Sequence, residues 1–126
     1  MRIGYSDGSY KEERNMFVFG WIETDTEMEY VEGIKANDLN IKRPSSHIAE
    51  YLGIFSFICA HMDEEWELRI DSNLAYNQLL GNWKVRSKSL KDVFEMTKEV
   101  FDSEKGIHLK LIKSKNNISD RILRKW

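Results

Sequence analysis

The chain has 126 residues, one cysteine and a net charge of −2, which suits one domain over residues 1–126 and excludes an internal disulfide. Hydrophobic residues at 41% and aromatics at 12% are enough for a core and exclude a disordered polymer. The longest apolar run, Ile54 to Ala60, is far short of a membrane span, and Met1-Arg2-Ile3 offers no signal-peptide pattern, so a reducing, cytoplasmic setting and a monomer are the defaults.

Ile3-Gly4-Tyr5-Ser6-Asp7-Gly8-Ser9 reads as a short strand that ends at Asp7 and turns on Gly8. Side chains alternate along a strand, so Ile3, Tyr5 and Asp7 share one side. Asp7 is thereby delivered to the carboxyl end of a central strand, where open α/β sheets keep their ligands. Met16 to Thr24 is an apolar, aromatic strand, and Glu27 to Ile34 an edge strand with charges on one face. The three form an antiparallel meander.

Pro44-Ser45-Ser46 starts a helix whose buried stripe is Ile48, Tyr51, Leu52, Phe55, Ile58 and Cys59. Cys59 is then a buried, inert thiol. Glu50 lies off the centre of that stripe, where it is either a partner of the helix dipole or a metal ligand. His61 to Glu65 is a solvated end. Trp66 to Asp71 is a second strand that ends in aspartate, and a short helix, Leu74 to Leu80, follows and stops at Gly81. Asp71 is either a cap of that helix or a site residue.

Trp83 to Ser89 is a basic link. Leu90, Val93, Phe94, Thr97, Val100 and Phe101 mark an amphipathic helix ending near Gly106. Ile107, Leu109 and Leu111 alternate as a last strand, Lys113 to Asn117 is a cationic loop, and Ile118, Ile122 and Leu123 suggest a terminal helix carrying Asp120. The order of elements implies an α/β chain with a mixed five-stranded sheet flanked by helices.

The charge is unevenly placed: residues 1–83 hold 7 Lys/Arg against 15 Asp/Glu, and residues 84–126 hold 12 against 6. Such asymmetry permits a basic face toward phosphates on a chain that is acidic as a whole. No paired Cys/His set suggests a structural zinc site.

Four segments, taken in order, resemble type 1 ribonuclease H: Tyr5-Ser6-Asp7-Gly8-Ser9, Ser46-His47-Ile48-Ala49-Glu50-Tyr51, Ile70-Asp71-Ser72, and Asn116-Asn117-Ile118-Ser119-Asp120-Arg121-Ile122-Leu123. Gln78 to Arg86 is similar to the compact bacterial, archaeal and plant-like branch. The resemblance runs nearly the full length and implies a sheet in the order 3-2-1-4-5, with the second strand antiparallel to the rest. Asp7 and Asp71 then sit side by side, and their charges repel unless a cation lies between them. Clustered carboxylates suit Mg²⁺ or Mn²⁺.

What the resemblance implies is hydrolysis of the RNA strand of an RNA–DNA hybrid with two divalent ions, leaving 5′-phosphate and 3′-hydroxyl ends. By the same resemblance, Asp7 bridges the ions, Asp120 helps hold the one that activates water, and Glu50 and Asp71 help hold the one at the leaving oxygen. Gly8 and Ser9 are expected beside the scissile bond, Ser45, Ser46 and His47 as contacts near the helix start, Lys113, Lys115 or Asn116 in part of the role of a loop histidine, and Lys84, Arg86 and Lys88 on the DNA backbone. Three departures stand out. The loop before Asp120 has no histidine, His108 being placed too early and read as structural. The long basic protrusion of some members is missing, and Ser119-Asp120-Arg121-Ile122-Leu123 replaces Ala-Asp-x-Leu-Ala. The alternatives from other classes are a non-catalytic nucleic-acid or protein-binding module on the same fold and a related nuclease acting on DNA.

Overall fold

Two sequence properties set the architecture: strands rich in aromatic and β-branched residues, and one helix apolar on most of its circumference. The computed structural model describes residues 1–126. Strands β1 (Arg2–Lys11), β2 (Met16–Glu23), β3 (Glu29–Lys35), β4 (Trp66–Ile70) and β5 (Ile107–Leu111) form one sheet in the order β3-β2-β1-β4-β5. β1 pairs antiparallel with β2, and β2 with β3, whereas β1–β4 and β4–β5 are parallel. The helices are α1 (Ser46–Ala60), α2 (Asn73–Leu79), α3 (Lys88–Ser103) and α4 (Asp120–Arg124). This is the mixed sheet expected from the order of elements. None of the helices is long and apolar enough to cross a membrane.

α1 is the centre of the core. It buries Ile48, Ala49, Tyr51, Leu52, Ile54, Phe57 and Ile58 between the sheet and α3, which adds Leu90, Val93 and Thr97. On the other face of the sheet, Ile122 and Leu123 of α4 pack with Val18 and Ile22 of β2. Helices thus cover both faces, and α4 reaches its place because two consecutive apolar residues seat it there.

Several local expectations are corrected. β1 does not turn at Gly8; it runs on to Lys11, pairing Gly8 with Phe19 and Lys11 with Met16. The turn comes later and closes on Asn15, which adopts a left-handed φ of 48°. Gly8 serves a different need: a Cβ there would lie 2.1 Å from the Ala49 carbonyl carbon and 2.4 Å from the Glu50 nitrogen. Only glycine lets α1 come so close. The deeply buried side of β1 is therefore Gly4, Ser6 and Gly8, with Ile3, Tyr5 and Asp7 on the more open side.

The stripe on α1 is also rotated from the expected one. Phe57 and Ile54 point inward, Phe55 is half-buried and Cys59 is exposed, because α1 meets the sheet on one flank and α3 on another. His61, expected in a solvated end, is buried. Its Nε2 lies 2.6 Å from the Glu23 carboxylate, its Nδ1 lies 2.6 Å from the Phe57 carbonyl, and its ring stacks on Phe57. β2 supplies the acidic partner that a local reading of the segment lacks. Finally, Ser72 rather than Asp71 caps α2, accepting from the Ala75 N–H at 3.1 Å, which leaves the Asp71 carboxylate for other partners.

Candidate active site

β1 and β4 are parallel neighbours, so their carboxyl ends lie together, and each is followed by an acidic residue or contains one near that end. Asp7 stands on β1 just past the last paired β4 position, and Asp71 follows Ile70 directly. α1 crosses the same end with its first turns, and the glycine at position 8 lets it descend until Glu50 is level with them. The result is a cluster in which carboxylate oxygens of Asp7, Glu50 and Asp71 lie within 4.8 Å of one another. Gly53 of α1 faces the Asp7 carbonyl, where a Cβ would approach to 2.7 Å.

No lysine or arginine is paired with the three. The Gly8 N–H donates to Asp7 Oδ1 at 2.8 Å, and His47 Nδ1 lies 3.2 Å from Glu50 Oε1 on the solvent side. Proton affinities respond accordingly. Burial, then the Asp71 charge, and more weakly Asp120, raise Asp7 to about 7 against the pull of the Gly8 N–H. Burial, with Asp7 and Asp71 behind it, raises Glu50 to about 8. Burial and Asp120 raise Asp71, while a hydrogen bond from Asn117 lowers it. Three crowded carboxylates offering only oxygen ligands, with no lysine or arginine among them, fit hard divalent ions such as Mg²⁺ or Mn²⁺.

Asp120 lines the same cavity, together with Gly8, Ser9, Ser114, Lys115, Asn117, Leu123 and Arg124. It does not join the close set of three. Its Oδ2 is engaged by Arg124 one helical turn later, through Nε at 2.9 Å and Nη2 at 2.8 Å. The fourth carboxylate thus stands on the wall of the cavity with a counterion of its own.

The other expected residues divide. Gly8 and Ser9 border the cavity, and His47 reaches it through Glu50. Ser45 is the N-cap residue of α1 but makes no capping bond; Ser46 instead accepts from the Tyr10 N–H at 3.1 Å, tying α1 to β1. Lys84 and Arg86 on the connection into α3, and Lys88 at its first residue, are exposed and do not line the cavity. Lys88 borders an apolar groove with Ile41, Lys42, Leu52 and Met96, which holds none of the four carboxylates. Asn116 is exposed and outside the cavity.

Its neighbour Asn117 is the residue that sequence reasoning missed. It is buried, and its Nδ2 donates to the Ser6 carbonyl at 2.9 Å and to Asp71 Oδ2 at 3.3 Å. Its Oδ1 accepts from the Ser119 N–H at 3.1 Å and from the Ser119 hydroxyl. One amide therefore connects β1 at Ser6, Asp71 and the residue before Asp120. The only sequence signal was an Asn two positions before a serine, the spacing of an Asx turn. Ser6 adds a second unforeseen feature, a buried hydroxyl beside the carboxylates with no hydrogen-bond partner.

No protein-family model matches the sequence, nor does any curated protein. Among solved structures, the chain is similar to RNase H1 from Halobacterium salinarum, at 21% identity and a TM-score of 0.77, over 97% of this chain and 92% of that one. It is equally similar to the N-terminal RNase H domain of a Mycobacterium tuberculosis protein, at 19% identity and a TM-score of 0.77, covering 98% and 91%. LC11-RNase H1, solved in complex with an RNA/DNA hybrid, matches at 20% identity and a TM-score of 0.75, covering 99% and 95%. The fold is therefore that of type 1 ribonuclease H, along the length of the chain.

Proposed function

We propose that the protein is a metal-dependent ribonuclease H that hydrolyses the RNA strand of RNA–DNA hybrids. The observation that carries this reading is the gathering of Asp7, Glu50 and Asp71 within 4.8 Å just past the parallel pairing of β1 and β4, with no lysine or arginine paired to them. The hybrid-bound state of LC11-RNase H1 supports the choice of substrate.

Asp7, Glu50, Asp71 and Asp120 are the residues that would hold divalent ions, Mg²⁺ or Mn²⁺. Such ions, when bound, would supply Lewis acidity to the attacking and leaving oxygens of a phosphodiester displacement that would leave 5′-phosphate and 3′-hydroxyl ends. The chain's own part is placement. Asp7, in the close set with Glu50 and Asp71, would be the shared ligand. Asn117 fixes the rotation of Asp71. His47, beside Glu50 at the cavity edge, can donate to an incoming phosphate or ribose.

Ser114 and Lys115 line the same cavity. Lys115 brings a positive charge to the loop that lacks a histidine. Gly8 and Ser9, which border the cavity, lie where the scissile strand would pass, with Ser45, Ser46 and Asn116 outside it. Lys84, Arg86 and Lys88 form an exposed basic run suited to the phosphates of the DNA strand. A single domain that acts as a monomer in the cytoplasm completes the proposal.

The test is cleavage of an end-labelled RNA–DNA hybrid beside matched double-stranded RNA, double-stranded DNA and single-stranded RNA. Wild type and Asp71→Asn are compared in Mg²⁺, Mn²⁺ and chelator. The expected result is ion-dependent cutting of the hybrid's RNA strand by wild type alone. Retained cutting by Asp71→Asn defeats the assignment, and tight hybrid binding by wild type without turnover makes the protein a binding module.

A further inference from the structure

The side chain of Arg124 is 79% exposed and lines the same cavity as the acidic cluster. Its Nε and Nη2 both converge on one oxygen of Asp120, at 2.9 and 2.8 Å. Asp120 is also the one carboxylate of the cavity that stands outside the close set. The same Arg124 therefore accounts for two facts: why Asp120 is engaged, and why the cavity wall contains a guanidinium at all.

A guanidinium beside a cation site opposes the binding of further cations there and favours the binding of a polyanion. These effects have opposite signs, and the reaction proposed above brings both ligands to one cavity. We infer that Arg124 exchanges partners during the cycle: it is the counterion of Asp120 in the ion-free protein and a phosphate contact of the bound nucleic acid once Asp120 has turned to a divalent ion. The pairing is built for exchange. An exposed bond between residues one helical turn apart is weak, while a guanidinium and a phosphate oxygen form a strong, geometrically matched pair. Lys115 is the other cation of the cavity wall; it has no carboxylate partner in the structure and so has nothing to exchange.

The inference rests on the nuclease reading, and its test separates the two. Two measurements on Arg124→Ala and Arg124→Lys need no turnover. Calorimetric titration of the ion-free proteins with Mn²⁺ should give Arg124→Ala an affinity two- to three-fold above wild type, because an opposing charge and a competing partner are both gone. Binding of a labelled RNA–DNA hybrid with the site saturated by Ca²⁺ as a divalent stand-in, followed by anisotropy across a salt series with the strand checked as uncut, should give Arg124→Ala a slope of log affinity against log salt shallower by about 0.7–0.9, the loss of one phosphate contact. Arg124→Lys should restore the slope.

Mn²⁺ affinity that is unchanged or lower in Arg124→Ala, or a salt slope that is unchanged, overturns the exchange: the first makes Arg124 a support for Asp120 in the loaded site, and the second leaves it a surface ion pair. Wild type that binds no hybrid at any salt concentration overturns the substrate reading instead.

Discussion

Asn117 and Ser6 are 111 residues apart, and the Asn117 side-chain amide donates to the Ser6 carbonyl at 2.9 Å. The same nitrogen reaches Asp71, and the amide oxygen holds Ser119. Removing this side chain strands a buried carbonyl and the Ser119 donor groups together. Asn117→Ala should therefore cost about 2–3 kcal/mol of stability. It should also lower kcat on the hybrid by roughly 10–100-fold, the usual range for loss of a partner that orients a metal ligand. Denaturant melts and steady-state kinetics check the two parts. A stability loss with kcat per folded molecule unchanged would make Asn117 a structural residue only.

The acidic cluster makes the ion-free protein pH-sensitive in an unusual direction. Asp7 at about 7 and Glu50 at about 8 bind protons in the folded state that ordinary carboxylates, with values near 4, have already lost when unfolded. Between pH ~4 and ~8 the folded state thus holds more protons than the unfolded one, so the contribution of these groups to stability falls as pH rises through that window. In chelator, Asp7→Asn should melt above wild type at pH 8, where the wild-type cluster is ionised and self-repelling, and the gap should close toward pH 5. Divalent ion should raise the wild-type Tm most at high pH. Binding it at pH 7 should release protons, seen as a dependence of calorimetric heat on buffer, and the release should vanish by pH 9.

Which parts of this were legible from the sequence follows from how far each signal reaches along the chain. Asp71 follows a strand with clear alternation and Glu50 lies in the first turns of a strongly apolar helix, so local periodicity placed them on their elements; Asp7 was read at a strand end although β1 runs on to Lys11, and the resemblance, not periodicity, joined the three into one site. The sheet order came from a resemblance spread over four motifs. What stayed hidden depended on contacts between distant segments. Gly8 looks like a turn residue because turns and close helix approach both select glycine; only the position of Ala49 distinguishes them. His61 looks solvated beside Asp63, Glu64 and Glu65 until Glu23 arrives from β2. Asn117 and Asn116 are indistinguishable as letters, and the path of the loop across β1 decides which is buried. The Asp120–Arg124 spacing was visible, but spacing alone does not say whether a carboxylate prefers its helix neighbour or the cluster.

His61 provides a test of core against site. It lies at the opposite end of α1 from Glu50, packed among Trp21, Phe57 and Trp66 and bonded to Glu23. His61→Ala leaves the Glu23 carboxylate buried with the Thr26 hydroxyl as its remaining side-chain partner and opens a hole among three aromatic rings. The expected cost is about 3–5 kcal/mol. Cleavage per folded molecule, measured well below the lowered Tm, should stay within about two-fold of wild type. A larger loss would mean that the far end of α1 transmits to Glu50.

Two glycine substitutions separate steric from conformational demand. Gly8 sits in regular strand, so alanine there meets no backbone penalty. Its methyl would collide with the Ala49 carbonyl, 2.2 Å to the oxygen, and with the Glu50 nitrogen. These are backbone atoms that move only if α1 moves. Gly8→Ala should then cost on the order of 3 kcal/mol and reduce cleavage by more than ten-fold, because the displaced segment carries Glu50. Gly81 is the opposite case, with φ of +82° and nothing within 4 Å of an added Cβ. Gly81→Ala should cost only about 1 kcal/mol, the strain of a left-handed alanine, and leave kcat and KM unchanged. Thermal melts and hybrid cleavage on the two variants side by side decide it. Equal effects on activity would mean that the approach of α1 to β1 does not set the position of Glu50.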